Sequence, residues 1–420
     1  MKRIFSNTKQ ALNTFKSFLR WAFIGVIVGI VVGLCGTVFA YVLKYTTGLR
    51  EQNPWILFLL PILGLIIVFI YRLAGVHHPR GTNLVLLSVR TEETIPIIMA
   101  PLIFISTVLS HLGGASAGRE GAALQMGGSI SQQIGRIFKA DEKSMHIFSM
   151  CGMSACFAAL FGTPVAAAIF SLEVVSVGIM QYSALIPCAI ASLTADIIAK
   201  FFHVHHIQAS VSELSMQFDL ITGLKVCALA LCGALVSILF CAVLRISGNL
   251  YEKYLENPYK RIIVGAILII VTTMILHTSD YMGAGEEVIM NALSGHARPE
   301  AFLLKILFTA LALEAGFKGG EIVPTLFIGS TFGCVFASII GISPAFGAAL
   351  GMIALFCGVT NCPITSIFLG LELLQGAGIE WLLLTVAVSY MLSGYYSLYS
   401  QQKIMYSKDM PKFINKNAHQ

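Results

Sequence analysis

The chain has 420 residues, of which 56% are hydrophobic and 11% charged, with a formal net charge of +6. Soluble domains carry about 25% charged residues, so this composition excludes a water-soluble fold and marks a polytopic membrane protein. The basic excess forms no stripe on a soluble domain, which excludes a nucleic-acid-binding module.

Residues 1–20 read as a cytoplasmic segment, because Lys2, Arg3, Lys9, Lys16 and Arg20 precede the first span. That span, Trp21 to Leu43, has no charge and is long enough to cross a bilayer. It is too long for a signal-peptide core and no convincing cleavage site follows, so it is expected to be retained. A first membrane half is expected over 21–203, with further apolar segments near 55–75, 96–112, 146–160, 164–180 and 184–202. Several are too short to cross, and Pro61, Pro101, Pro164 and Pro187 interrupt them. Irregular backbone survives at membrane depth only where protein or a polar cavity satisfies it. The pattern therefore predicts broken and re-entrant helices around a central site.

His203 to Asp219 carries Glu213 and Asp219 and no Lys or Arg, which predicts an external linker over 204–219. Its His203-Val204-His205-His206 run lacks the converging partners of a metal site and reads as a solvated loop. A second half follows over 220–405, with apolar segments near 220–244, 262–276, 302–316, 323–340, 345–357 and 382–394, interrupted by Pro324, Pro344 and Pro363. Arg245 to Arg261 carries Arg245, Lys253, Lys260 and Arg261 and is predicted to be cytoplasmic. Residues 406–420 read as a polar, basic cytoplasmic tail. An external junction makes the second half inverted relative to the first. The ten cysteines show no Cys-x-x-Cys spacing and read as small buried hydrophobes; no cofactor and no metal is expected.

The chemistry concentrates in Gly118-Arg119-Glu120-Gly121. A Glu in so apolar a chain costs roughly 2.5–3.5 kcal/mol at a membrane helix centre, and flanking glycines let bare backbone approach a ligand. The first N–H groups of a helix have no internal partner and carry partial positive charge, so they attract an anion or a carboxylate that imitates one. Glu120 at such an end is either a gate that vacates an anion seat when protonated, or one side of an Arg119–Glu120 pair or helix cap. The landmarks recur. Glu120, Gly162-Thr163-Pro164 and Ile169-Phe170-Ser171-Leu172-Glu173 are followed 199 to 201 residues later by Glu321, Asn361-Cys362-Pro363 and Ile367-Phe368-Leu369-Gly370-Leu371-Glu372. Glu173 and Glu372 read as structural, pairing or capping between helices, with a proton-relay role as the alternative. Arg80-Gly81-Thr82-Asn83 and Tyr399 add a hydroxyl, free N–H groups and a phenol that suit an anion.

Together these motifs resemble the CLC family of chloride channels and anion–proton antiporters, over residues 20–405. Gly118-Arg119-Glu120-Gly121 resembles the family's gating-glutamate motif, with Ala122 where many members have Pro. Gly320-Glu321-Ile322-Val323-Pro324 resembles its Gly-x-Phe-x-Pro motif, with Ile322 for Phe. Thr82 of Gly81-Thr82-Asn83 stands for the anion-coordinating Ser, and Tyr399 for the coordinating Tyr. The resemblance implies an all-α integral membrane fold built as an inverted-topology repeat of tilted and broken helices. It implies a homodimer with one pore per subunit, the segments around 164–200 and 363–394 packing at the interface. It also implies an anion seat drawn from Gly81, Thr82, Gly118, Arg119, Gly121, Ile322, Val323 and Tyr399, with Glu120 and Glu321 as gate and proton carriers. The partners implied are halides (chloride, fluoride), protons and lipid.

Two departures bear on mechanism. The family's inner proton-transfer Glu is replaced by Val174, and Glu321 after the double glycine resembles the fluoride-exporting branch. That branch carries Met near the Thr82 position and Phe shortly after it, where this chain has Thr82, Val85 and Ser88. A cation or organic-solute transporter of the same repeat logic would need converging carboxylates and carbonyls, and the acids here sit instead at glycine-rich helix starts. An intramembrane enzyme would need a nucleophile with its base; His111, His146 and His277 have no such partner in the sequence.

Overall fold

A computed structural model describes residues 2–77 and 79–418, with side chains from residue 10 onward. The side chains of Lys2, Arg3 and Lys9, and the last two positions of the tail, lie outside the described residues. Among the described residues, sixteen α-helices, three short 3-10 helices and three short strands follow in order. The first eight helices are α1 (Lys2–Gln52), α2 (Leu60–Leu73), α3 (Thr82–Arg90), α4 (Met99–Gly113), α5 (Glu120–Ile137), α6 (Glu142–Phe161), α7 (Pro164–Glu173) and α8 (Leu185–Phe201). The second eight are α9 (Leu220–Tyr254), α10 (Pro258–Leu276), α11 (Glu286–Leu293), α12 (Ala301–Leu313), α13 (Ile322–Ile340), α14 (Pro344–Thr360), α15 (Pro363–Leu373) and α16 (Ile379–Leu392). They match one for one in order. By length and composition, seven described helices can cross a membrane, and most of the others are short apolar pieces.

Local chemistry sets many of the breaks. Pro164, Pro258, Pro344 and Pro363 each open a helix at its first position, where a missing N–H is no loss. Asp219 caps α9 by accepting from the Thr222 N–H at 2.9 Å. The first helix runs past the apolar span at both ends, because charge ends an apolar stretch without ending a helix; Asn53-Pro54 stops it.

Two helix pairs form the centre, α5 against α6 and α13 against α14. Both are held close by facing glycines. A Cβ on Gly152 would collide with the Gly127 carbonyl, and one on Gly329 would stand 2.5 Å from the Gly351 carbonyl oxygen. Around them lies a large apolar core, with a second, smaller cluster where Phe240 of α9, Ile306 of α12, Ile328 of α13 and Leu355 of α14 meet.

The halves interlock by exchange. Glu173 at the end of α7 accepts from the Ile364 and Thr365 N–H groups at 3.1 and 2.8 Å, capping α15. Glu372 near the end of α15 accepts from Val165 and Ala166 at 2.9 and 2.8 Å, capping α7. Gly118 and Gly320 form an antiparallel bridge, each N–H donating to the other's carbonyl at 2.7 and 2.8 Å. Equivalent residues paired antiparallel define a local two-fold, and the helices that follow run away from it in opposite directions. That is the geometry of an inverted repeat.

The segment read as a polar tail is ordered differently. Strand β1 (Ser176–Val177) pairs in parallel with β2 (Lys403–Tyr406), which turns back into β3 (Phe413–Asn417). Lys408 in the turn is held by the Asn361 side chain, the Tyr390 carbonyl and the Ser393 hydroxyl. A basic residue with three acceptors buries more readily than its charge suggests.

Candidate anion pathway

The Gly118–Gly320 bridge places the starts of α5 and α13 side by side. Their flanking residues have nearly the same backbone: φ −113°, ψ −8° at Arg119 and φ −98°, ψ −13° at Glu321. The structural equivalence is therefore Gly118 with Gly320, Arg119 with Glu321 and Glu120 with Ile322. The sequence landmarks had aligned Glu120 with Glu321, one residue out of register. A carboxylate looks like a carboxylate in a sequence; the backbone pairing decides otherwise.

Glu120 is fully buried. Its Oε1 accepts from the Arg119 N–H at 3.0 Å and its Oε2 from the Val323 N–H at 3.3 Å. One carboxylate thus joins the free N–H groups of two helix starts, one from each half. Neighbouring glycines make the space: a Cβ on Gly320 would stand 2.7 Å from Oε2, and one on Gly118 would collide with the same oxygen. The seat is an arrangement of peptide dipoles that accepts a negative group without a fixed cation.

Thr82 begins α3 after Gly81, whose φ of 58° favours glycine. Its Oγ1 lies 3.0 Å from where a Gly121 Cβ would be, so the hydroxyl borders the start of α5. Tyr399 is 2% exposed and feels the charges of both Glu321 and Glu120. Two bonds bring its loop to α3: Asn83 Oδ1 accepts from the Gln401 N–H at 3.0 Å, and Arg90 donates to the Gln401 carbonyl at 2.6 Å. Ile322 and Val323 are buried, and Val323 contributes its N–H.

Arg119 divides its roles. Its backbone N–H meets Glu120, while its guanidinium leaves the seat, pairing with Glu286 at 3.1 Å and donating to the Leu160 carbonyl at 3.2 Å. The ion-pair alternative for Glu120 therefore gives way to a carboxylate on helix N–H groups. Glu321 stands immediately before α13, its carbonyl accepts from the Thr325 hydroxyl at 2.8 Å, and its charge reaches Glu120 and Glu314. Val174 is fully buried, and its carbonyl accepts from the Gln402 side chain at 2.9 Å.

Gln402 is a residue sequence reasoning missed. Its amide donates to the Val174 and Thr360 carbonyls and accepts from Asn361 and Ser397 at 2.7 to 3.0 Å. Ser397 in turn accepts from the Tyr399 N–H at 3.1 Å. This knot fixes the Tyr399 loop beneath α7 and α14. Nothing local in Tyr399-Ser400-Gln401-Gln402 signals it, since the two carbonyls its amide meets lie 42 and 228 residues away.

Comparison with known proteins agrees with this geometry. The family model described as voltage gated chloride channel matches residues 63–394. A Pseudomonas syringae pv. tomato protein named chloride/fluoride channel protein is 31% identical over 95% of this chain and 90% of its own length. A Vibrio cholerae H(+)/Cl(-) exchange transporter ClcA is 28% identical over 65% of this chain and 61% of its own. The crystal structure of a CLC-type fluoride/proton antiporter superposes with TM-score 0.88 at 30% identity, covering 91% of this chain and 98% of that one. A slow cyanobacterial Cl-/H+ antiporter, at 20% identity and TM-score 0.78, shares the fold. With paired helix starts on a two-fold, a carboxylate between them and a family match across most of its length, the chain belongs to the voltage-gated chloride channel (CLC) family of multi-pass membrane proteins.

Proposed function

We propose that the chain moves halide, chloride and/or fluoride, across the membrane in exchange for protons, with the Glu120 carboxylate as gate. The observation that carries this is the Glu120 carboxylate on the Val323 N–H of the opposite half. An anion on those N–H groups and the ionised carboxylate compete for one place. When the carboxyl takes a proton it loses its advantage there, so anion and proton alternate. Glu321, within electrostatic reach of Glu120 and Tyr399, supports a proton route that does not need a carboxyl at Val174. The relatives named for fluoride support fluoride among the cargoes.

A passive channel is the second reading, favoured by Val174 itself. The two separate in proteoliposomes fitted with halide and pH electrodes. The exchanger moves protons against a halide gradient and loses that movement in Glu120→Gln. A gradient that moves no protons, with flux unchanged in Glu120→Gln, sinks it. In this reading the termini are cytoplasmic, the halves meet in an external linker over 204–219, and the protein is a homodimer. The exposed apolar residues Leu193 and Ile197 on α8 and Leu383 on α16 suit that contact. It assigns the chain no enzymatic step, cofactor or nucleic acid.

A further inference from the structure

The mouth beside Gly118 is crowded with buried cations. His111 Nε2 lies 3.3 Å from the Gly118 carbonyl, and Arg50 donates to the His111 carbonyl at 3.0 Å. Lys305 donates to the Tyr281 and Gly283 carbonyls at 3.2 and 2.7 Å. A Cβ on Gly283, whose carbonyl takes Lys305, would stand 2.9 Å from the Arg50 guanidinium, so Arg50 and Lys305 meet at one loop, and His111 links that loop to Gly118, the residue before Arg119. The exposures of Arg50, Arg119 and Lys305 are 6%, 9% and 0%. The carboxylates that answer them stand largely in water: Glu51, 65% exposed and 3.6 Å from Arg50, and Glu286, 41% exposed. Buried charge without buried counter-charge is costly and creates a positive potential that draws anions. Polar atoms close by also lack a partner within the protein. Arg119 Nε and Thr163 Oγ1 are buried and unpaired, as is Nε2 of His206, whose Nδ1 shares the Leu160 carbonyl with Arg119 at 3.1 Å.

The two-fold gives this mouth a counterpart. Glu286 opens α11 after Gly285 just as Thr82 opens α3 after Gly81, both glycines with positive φ. One start carries the Thr82 hydroxyl, and the other carries the Glu286 carboxylate paired with the Arg119 guanidinium at 3.1 Å.

We propose that this second mouth is an anion-entry site, in which an incoming halide replaces the Glu286 carboxylate against Arg119 before passing to the Glu120 seat. The cation shell of Arg50 and Lys305 holds the ion, and Glu286 keeps Arg119 neutralised between ions. This inference rests on the halide-transport reading, and its test is sided. Halide uptake is measured in right-side-out and inside-out vesicles from expressing cells. Glu286→Gln removes the competitor, so KM for halide entering at the Glu286 face falls about threefold, the scale of an exposed ion pair. Arg119→Gln raises that KM about tenfold or more, the scale of a charge-assisted hydrogen bond, and Arg119→Lys recovers part of it. In Glu286→Gln, KM from the opposite face stays where the unaltered protein has it. A pair that merely braces α5 against α11 shifts both faces alike, and that result, or no shift, overturns the proposal. Bromide calorimetry on the solubilised protein separates the two readings. If unaltered vesicles move no halide, the transport reading falls, and the site then stands on bromide heat lost in Arg119→Gln but kept in Glu120→Gln. Heat that does not depend on Arg119 overturns the site.

Discussion

Glu120 and Ile322 occupy equivalent places on nearly equivalent backbones, and one is a carboxylate while the other is a buried hydrocarbon. The same contrast runs outward from them. Arg119 corresponds to Glu321 under the two-fold, and Glu286 to Thr82. The fold supplies two helix starts that are each able to hold an anion. On the proposed reading, a few substitutions then decide which start carries the moving charge. Symmetry builds the seat, and departures from symmetry give it a direction.

The comparison breaks most completely at the bridge. Gly320→Val puts a side chain against the Gly121 N–H and the Glu120 carboxylate. Overpacking of this kind costs about 1–3 kcal/mol or more, and loss of a monodisperse peak in size-exclusion chromatography is expected. Gly48→Val, at a glycine with open space around it, is the control and keeps the peak. Next are the two exchanged caps. Glu173→Ala leaves two N–H groups and the Thr365 hydroxyl without an acceptor in a buried site, and Glu372→Ala leaves two N–H groups in a half-buried one. Losses of about 3 and about 1–2 kcal/mol are expected on unsatisfied-donor costs, so thermal melting in detergent should drop further for Glu173→Ala. Equal drops would mean that the caps are as symmetric in energy as in geometry.

Tyr399→Phe tests the seat with little change of shape. Halide affinity by calorimetry should weaken about fivefold to tenfold, the worth of one hydrogen bond to an ion. The smallest effect lies in the linker. The Ser343 hydroxyl donates to Glu213 at 2.6 Å and, with the local backbone and Ser212, holds that carboxyl below the usual carboxylate range. A carboxyl lowered on folding stabilises the folded state above its unfolded pKa, and the gain is lost as pH falls through the folded one. Melting should therefore fall slightly more on acidification in the parent than in Glu213→Gln, by well under 1 kcal/mol because the group is only partly buried and solvent screens it.

Much of this was legible before any coordinates. The repeat landmarks, the broken helices, and the capping role of Glu173 and Glu372 follow from motif spacing, because prolines and buried acids are rare enough in an apolar chain to stand out. What stayed hidden depends on contacts between distant segments. Gln402, Asn83 and Lys408 are ordinary polar residues whose partners sit dozens to hundreds of positions away. Glu286 looked like any loop-edge acid until Arg119 reached it. The one-residue error in aligning Glu120 with Glu321 has a different cause: residue type was matched where the backbone bridge sets the register.

The exchanged caps also constrain how the molecule is made. The start of α7 cannot find its acceptor until Glu372 exists, so a ribosome must add some two hundred further residues before that helix end is satisfied. Until then the early half waits in the membrane with exposed amides, dependent on water, lipid headgroups or the insertion machinery. Chain completion and pore completion are thus nearly the same event, and a nascent chain stalled in its second half leaves no working pore behind.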